Sequence, residues 1–138
     1  MIVVSDTSPI LNLAIVDRLD LLRGLFIDIV IPPSVSKELA RHGTSAPPEW
    51  MRVIAAQDRR ELERLGRRLD PGEAEAIVVA VEIKASLILV DEQRGRHVAT
   101  EHGLAVMGLL GVLAEAKGHG LIDDCRTVLD AMIYRAGF

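Results

Sequence analysis

Several features that mark common classes of protein are scarce in this chain of 138 residues. Its one cysteine, Cys125, excludes an internal disulfide and a cysteine-based zinc site. The longest stretch without charge, residues 103–114, is shorter than the roughly 20 apolar residues that a membrane helix needs. Residues 1–6 contain no basic stretch and only a short apolar run, so we expect no signal peptide. These absences predict a cytoplasmic protein that does not enter a membrane.

Positive charge and aromatic side chains are scarce as well. The formal net charge is −4, whereas proteins that bind nucleic acid through broad electrostatic attraction usually have a basic surface. Arginines are concentrated between Arg52 and Arg68, where Arg60, Arg64, Arg67 and Arg68 fit one helical face, and we interpret them as a solvated face. Aromatic side chains usually read single-stranded RNA, and with just four present (Phe26, Trp50, Tyr134, Phe138) the sequence does not indicate which RNA is cut.

Short apolar runs alternate with helical patterns along the chain. We predict strands at 2–4, 28–31, 87–90 and 104–107, and helices at 10–22, from 34, 62–69, 73–84, 94–102, 109–117 and 123–135. Ser8 and Ser34, each beside proline, are predicted to cap helices. Residues 43–48 are predicted to form a surface loop. The alternation predicts one α/β domain over residues 1–138, a three-layer sandwich whose mainly parallel sheet of about four strands has helices on both faces.

This topology brings acidic residues to one edge of the sheet. Asp6 and Asp91 lie at the carboxyl ends of two strands, and Glu38 and Glu73 lie in the first turns of helices that begin at the same edge. Carboxylates that face one another repel, and a bound hard cation relieves that repulsion. Mg²⁺ or Mn²⁺ held by carboxylates activates water and neutralises phosphate charge, so the pattern favours phosphodiester hydrolysis.

Each acid taken alone also has a structural interpretation. Asp6 could hydrogen-bond the amides of the following helix, and Glu38 could be a rim residue. Glu73 and Asp91 could complement the positive end of a helix. The shared destination of the four acids is what favours the metal site over these alternatives.

The motifs resemble those of a known family. Asp6-Thr7-Ser8 after an amino-terminal strand, Glu38 within Val-Ser-Lys-Glu, and Asp91 after Leu-Val resemble the PIN-domain family of ribonucleases over nearly the whole chain. The chain looks closest to compact prokaryotic proteins related to VapC-type toxins, in a branch with Asp-Pro-Gly-Glu-Ala-Glu-Ala-Ile (residues 70–77) and a later Gly95-Arg96.

The resemblance implies a PIN-like fold and a divalent-metal-dependent endoribonuclease, with the toxin of a toxin–antitoxin pair as a cellular role. Asp6, Glu38 and Asp91 match the first, second and last acids of the family. Glu73 falls near the position of the third, where many relatives have aspartate. Glu75 is the competing candidate, but two positions along a helix turn it about 200° away.

Further residues and partners are implied in the same way. Ser8 matches a position that helps to orient metal-bound water, Arg94 and Arg96 are expected to contact substrate phosphate, and Leu89 replaces the usual threonine before the last acid. The expected partners are RNA, a second copy of the chain and an antitoxin protein. For the homodimer, the helix around Leu62 and Leu65 is predicted to present an apolar surface.

Two other function classes remain open from the sequence. Acids at strand ends also hold Mg²⁺ in phosphoacceptor and nucleotide-binding α/β domains, although no Gly-rich phosphate motif is present and the strand at 104–107 ends without lysine. The other class is a catalytically silent PIN-fold binding module, which should tolerate the loss of Asp6 and Asp91 without a change in divalent-ion binding.

Overall fold

One parallel sheet organises the computed structural model, which describes residues 1–43 and 47–138. Its strands are β1 (Ile2–Ser5), β2 (Asp28–Ile31), β3 (Met51–Val53), β4 (Leu87–Leu89) and β5 (Val106–Met107). They lie in the order β3-β2-β1-β4-β5, and each neighbouring pair is parallel. In the central register, Val3 pairs with Ile29 on one side and with Leu87 on the other.

Helices connect and cover these strands. They are α1 (Thr7–Ile15), α2 (Asp20–Leu25), α3 (Pro33–Arg41), α4 (Arg59–Gly66), α5 (Pro71–Glu82), α6 (Gln93–Glu101), α7 (Leu109–Gly118) and α8 (Cys125–Ala136). Within the described ranges, no helix combines the length and apolar character needed to cross a bilayer.

Successive residues of the strands pack into two separate hydrophobic cores, one on each face of the sheet. Val3 packs in a core with residues of α1, α2, α3, α7 and α8, whereas its neighbour Val4 packs in a second core with residues of α4, α5 and α6. Side chains of successive strand residues point to opposite faces, so each face of the sheet carries its own helical layer. The predicted α/β class and helix-covered parallel sheet are therefore confirmed, with five strands.

The fifth strand, β3, was not predicted. Only Met51 of its three residues is buried, so the segment lacks the apolar pattern of a strand. Pairing with the edge of β2 creates it, and the Arg52 guanidinium also holds the Asp28 carboxylate through two contacts of 2.8 Å. Of the predicted loop 43–48, residues 44–46 lie outside the described residues, and Pro47 and Pro48 belong to no helix or strand.

Predicted helix boundaries required three corrections. The helix predicted over 10–22 is two helices, because α1 ends at Ile15 and Asp17 adopts a left-handed conformation with φ 57° before α2 begins. Ser8 is not a cap, since α1 begins at Thr7 with Asp6 as the N-cap residue. Ser34 is not a cap either, since α3 begins at Pro33. The other predicted elements are present, with shifted ends.

The surface predicted for dimerisation is not exposed. Leu65 is only 1% exposed and belongs to the second core, and Leu62 is half-buried against that core. These two leucines therefore stabilise the packing of α4 against α5.

Candidate active site

The first acid, Asp6, follows β1 at the carboxyl edge of the sheet. Its backbone N–H donates to Leu89 O at 3.0 Å, which joins the ends of β1 and β4. The side chain is buried, and burial raises the Asp6 pKa to about 7, helped by the carboxylates of Asp70, Glu38 and Asp91. Asp6 thus lies in a partly dry environment that already contains negative charge.

Glu38 reaches the same place from α3. Its Oε2 accepts a hydrogen bond of 3.0 Å from Thr7 Oγ1, which ties α3 to the start of α1. A Cβ added to Gly72, on α5, would lie 3.1 Å from Asp6 Oδ1 and 3.4 Å from Glu38 Oε2. The absence of a side chain at Gly72 therefore lets three helices bring these carboxylates together.

Glu73 lies in the first turn of α5, and its backbone N–H donates to Asp70 Oδ1 at 2.9 Å. The side chain is only 5% exposed. Burial raises the Glu73 pKa to about 8, and the adjoining Asp70 and Asp6 carboxyl groups add to the effect. Glu73 Oε2 lies close to Gly95, where it would collide with an added Cβ, and it has no hydrogen-bond partner among the described residues.

Asp91 follows β4 and uses its two oxygens differently. Oδ1 accepts a short hydrogen bond of 2.7 Å from Leu109 N at the start of α7, which fixes the carboxylate relative to that helix. Oδ2 is buried and lacks a partner within the part of the chain that the structure describes. One oxygen therefore positions the group, and the other stays available to a ligand.

The structure thus brings Asp6, Glu38, Glu73 and Asp91 to one edge, where they form what is here termed the carboxylate cluster. It also places Asp70 beside them, a residue that the sequence analysis named only as the first residue of the motif 70–77. Asp70 is the N-cap residue of α5, so the Asp-Pro-Gly-Glu pattern signalled its cap role but not its effect on the Asp6 pKa. Thr7 was also missed, because its hydrogen bond to Glu38 joins residues 31 positions apart.

Glu75 occupies a different environment on α5. Its Oε1 accepts from Ser34 N at 3.0 Å and from Ser34 Oγ at 2.6 Å, and its Oε2 accepts from Ala56 N at 3.2 Å. Both oxygens are therefore occupied by protein donors. Glu75 holds α5 against α3 and the segment after β3, away from the orphan oxygens of the carboxylate cluster.

The predicted auxiliary residues divide into two groups. Ser8 is engaged inside α1, where Asn12 Nδ2 donates to its Oγ at 3.1 Å, so it is not directed at the acids by any described contact. Arg94 lines a cleft of about 540 Å³, here termed the arginine cleft, with Arg67, Arg68 and Glu73, among other residues.

The arginines predicted to share one helical face do not all lie in a helix. Arg67 and Arg68 lie beyond the end of α4 at Gly66, so the predicted helical face of four arginines is wrong.

Arg96 lines a different opening from Arg94, one that Asp91 also borders. It lines a second opening, of about 480 Å³, together with Asp91 and residues at the start of α7. A Cβ added to Gly108 would lie 3.1 Å from Asp91 Oδ1 and 3.5 Å from Arg96 Nη1, so the guanidinium and the carboxylate border the same space.

The carboxylate cluster suits a hard divalent cation in its chemistry. Its ligand atoms are carboxylate oxygens, which Mg²⁺ and Mn²⁺ prefer, and the buried oxygens Glu73 Oε2 and Asp91 Oδ2 have no hydrogen-bond partner among the described residues. Across residues 1–43 and 47–138, however, no group of three acidic, histidine or cysteine side chains is already arranged around a metal position.

Open parallel α/β folds bind their ligands at the carboxyl edge of the sheet, which is the edge where these acids gather. The family model DUF3368, described as a PIN domain, matches residues 2–138, and the chain belongs to this family. PIN domains include metal-dependent nucleases and typically use divalent metals.

Solved structures support the same fold. The chain is similar to a PilT N-terminus domain protein from the hyperthermophilic archaeon Sulfolobus solfataricus P2, with a TM-score of 0.57 and 18% identity. The similarity covers 84% of this chain and 93% of the archaeal chain. No curated protein matches the chain in sequence.

Proposed function

We propose that the protein is a divalent-metal-dependent endoribonuclease that hydrolyses RNA phosphodiester bonds, with the toxin of a toxin–antitoxin pair as its cellular role. The observation that carries this proposal is the pair of buried, unpartnered carboxylate oxygens on Glu73 and Asp91, next to Asp6. Such a cluster is unfavourable in a protein that binds no cation, because burial and mutual repulsion both oppose ionisation.

Residues of the cluster have distinct tasks in this proposal. Asp6, Glu38, Glu73 and Asp91 would hold Mg²⁺ or Mn²⁺, and Thr7 orients Glu38 through its hydrogen bond. The bound cation would supply an activated water and neutralise charge on the scissile phosphate. Because the pKa values of Asp6 and Glu73 are raised to about 7 and about 8, cation binding should release protons near neutral pH.

The cleft beside Glu73 supports a phosphate-containing substrate. Arg67, Arg68 and Arg94 line it together with the acids Asp70, Glu73 and Glu92, and Arg68 also pairs with Glu101 at 3.1 Å. Guanidinium groups match phosphate oxygens with two parallel donors, and a cation held by the acids would leave the arginines to meet the phosphate. A local group of arginines can attract an RNA backbone although the net charge is −4. RNA rather than DNA is proposed from the resemblance to VapC-type ribonucleases.

The test is a Mn²⁺ titration of the purified protein, with cleavage of single-stranded RNA and single-stranded DNA of the same sequence followed in parallel. Asp91→Asn should lower RNA cleavage by at least about 100-fold, a barrier increase of roughly 2.7 kcal/mol. Asp130→Asn is the matched control, since Asp130 is exposed on α8 and its carboxylate lies 4.0 Å from the Arg126 guanidinium, outside the carboxylate cluster.

Three results would count against the proposal. Equal cleavage by the Asp91→Asn and Asp130→Asn variants would remove the active-site assignment, and preferential cleavage of DNA would change the substrate. Undetectable Mn²⁺ binding by calorimetry would favour the silent binding module. In bacterial cells, expression of the unaltered chain should arrest growth and Asp91→Asn should not; normal growth with an active nuclease would remove only the toxin role.

A further inference from the structure

The opening on the Arg96 side of Asp91 differs in character from the arginine cleft. Its volume is about 480 Å³, and its lining includes Met107, Leu110 and Phe138 as well as Asp91 and Arg96. Leu110 is 58% exposed and Phe138 is 42% exposed, so apolar surface here faces solvent. The opening therefore combines an apolar wall with a charged end in one concave surface.

The charged end is continuous with the carboxylate cluster. Arg96 Nη1 and Asp91 Oδ1 both approach Gly108, within 3.5 Å and 3.1 Å of the position that a Cβ would take there. The other oxygen of Asp91 is the buried, unpartnered one. A molecule in this opening would thus have one end at the guanidinium and the proposed metal site, and its body against the apolar wall.

A nucleotide has this distribution of chemistry. Its phosphate is anionic and its base is flat, with apolar faces that stack on aromatic and aliphatic side chains. The arginine cleft on the Glu73 side is lined by three arginines and three acids, and no aromatic residue of the described ranges lines it, so it offers a base no aromatic stacking surface. Phe138 is one of just four aromatic residues in the chain, and it lines the same opening as Asp91. An aromatic surface on which a base could stack is therefore present in that opening.

We propose that the opening lined by Asp91, Arg96, Leu110 and Phe138, here termed the base subsite, binds the nucleobase of the nucleotide adjacent to the scissile phosphate. Phe138 and Leu110 contact the base, and Arg96 contacts a phosphate oxygen. The proposal rests on the proposed nuclease function, because only a nuclease has a scissile phosphate. Recognition of a base beside a phosphate is a separate property that can be tested without cleavage. It makes the base subsite the source of whatever sequence preference the enzyme has.

A binding experiment tests the base subsite without catalysis. In EDTA, the four nucleoside 5′-monophosphates and ribose 5-phosphate are titrated into the isotope-labelled protein, and affinities are measured from NMR shift changes. At least one nucleotide should bind about fivefold or more tightly than ribose 5-phosphate, because stacking on Phe138 and Leu110 adds to the phosphate contact. Equal affinities for ribose 5-phosphate and all four nucleotides would overturn the proposal.

Substitutions in the opening test which residues contact the base. Phe138→Ala and Leu110→Ala should each bring the nucleotide to ribose 5-phosphate affinity ratio below about twofold while leaving ribose 5-phosphate binding unchanged. Tyr134→Ala is the matched aromatic control, because Tyr134 is 91% exposed and does not line the opening. A ratio that survives both substitutions, or that falls equally in Tyr134→Ala, would place the base elsewhere and overturn the proposal.

Binding and cleavage measured on the same samples distinguish the base subsite from the proposed nuclease function. Base-dependent binding in a protein that cleaves no RNA with Mn²⁺ would remove the nuclease function and leave a nucleotide-binding subsite. Mn²⁺-dependent RNA cleavage without any base-dependent binding would leave the nuclease function and refute the base subsite.

Discussion

Replacement of Asp6 by asparagine tests the electrostatic strain in the carboxylate cluster most directly. Folding raises the Asp6 pKa from 3.8 to about 7, chiefly through burial. The folded protein therefore holds this proton more tightly than the unfolded chain does. The stability that the protonated carboxyl contributes is complete below about pH 3.8 and is lost as the pH rises toward and through about 7.

The difference between 3.8 and about 7 sets the size of the effect. It corresponds to roughly 4 kcal/mol of folding free energy lost at high pH, at 1.36 kcal/mol per pKa unit. Asparagine has nearly the same volume and does not ionise, but its amide must find new partners, so we expect a net gain of about 1–3 kcal/mol at pH 8.5. At pH 4, where the folded wild type keeps its proton, the gain should nearly vanish.

Urea unfolding in EDTA at pH 4, 6 and 8.5 measures this difference, with Asp130→Asn as the control for a general change in charge. Addition of Mn²⁺ at pH 7.5 should then reverse the order of stability, because a ligand at 1,000 times its Kd adds about 4.1 kcal/mol to a protein that binds it, more than the expected gain of the variant. Lower stability of the Asp6→Asn variant than of wild type at pH 8.5 in EDTA would refute the reasoning, as would a stabilisation independent of pH.

Two further substitutions separate ligand binding from packing. Glu73→Gln should lower RNA cleavage at least tenfold, while Glu75→Gln should chiefly lower the free energy of unfolding by about 1–3 kcal/mol, because its new amide would face the N–H donors that Glu75 now accepts. Cleavage assays and urea unfolding distinguish them, and a larger activity loss for Glu75→Gln would reassign the third acid. Gly95→Ala should destabilise α6, since a Cβ would collide with Glu73 Oε2 and lie 2.9 Å from Val90 Cγ1; unchanged thermal melting would contradict the tight packing there.

The sequence alone predicted the features that depend on local pattern and chain order. Strand and helix alternation determines a parallel sheet, and in such a sheet the carboxyl ends of the strands meet at one edge. Asp6 directly follows β1, Asp91 lies two residues after β4, and Glu73 lies in the first turn of α5, so their arrival at that edge required no knowledge of packing. The resemblance of the motifs to PIN domains rested on the same residues, and the family match confirms it.

Tertiary structure decided everything that depends on contacts between distant elements. Strand β3 exists because β2 offers it an unpaired edge, although its own sequence is mostly polar or exposed. Asp70 and Thr7 act on the site across the junctions of α5, α1 and α3. Raised pKa values follow from burial in three dimensions, which residue spacing does not encode. The sequence therefore determined that Asp6, Glu38, Glu73 and Asp91 share one edge of the sheet, and packing added Asp70 and determined how deeply the acids are buried.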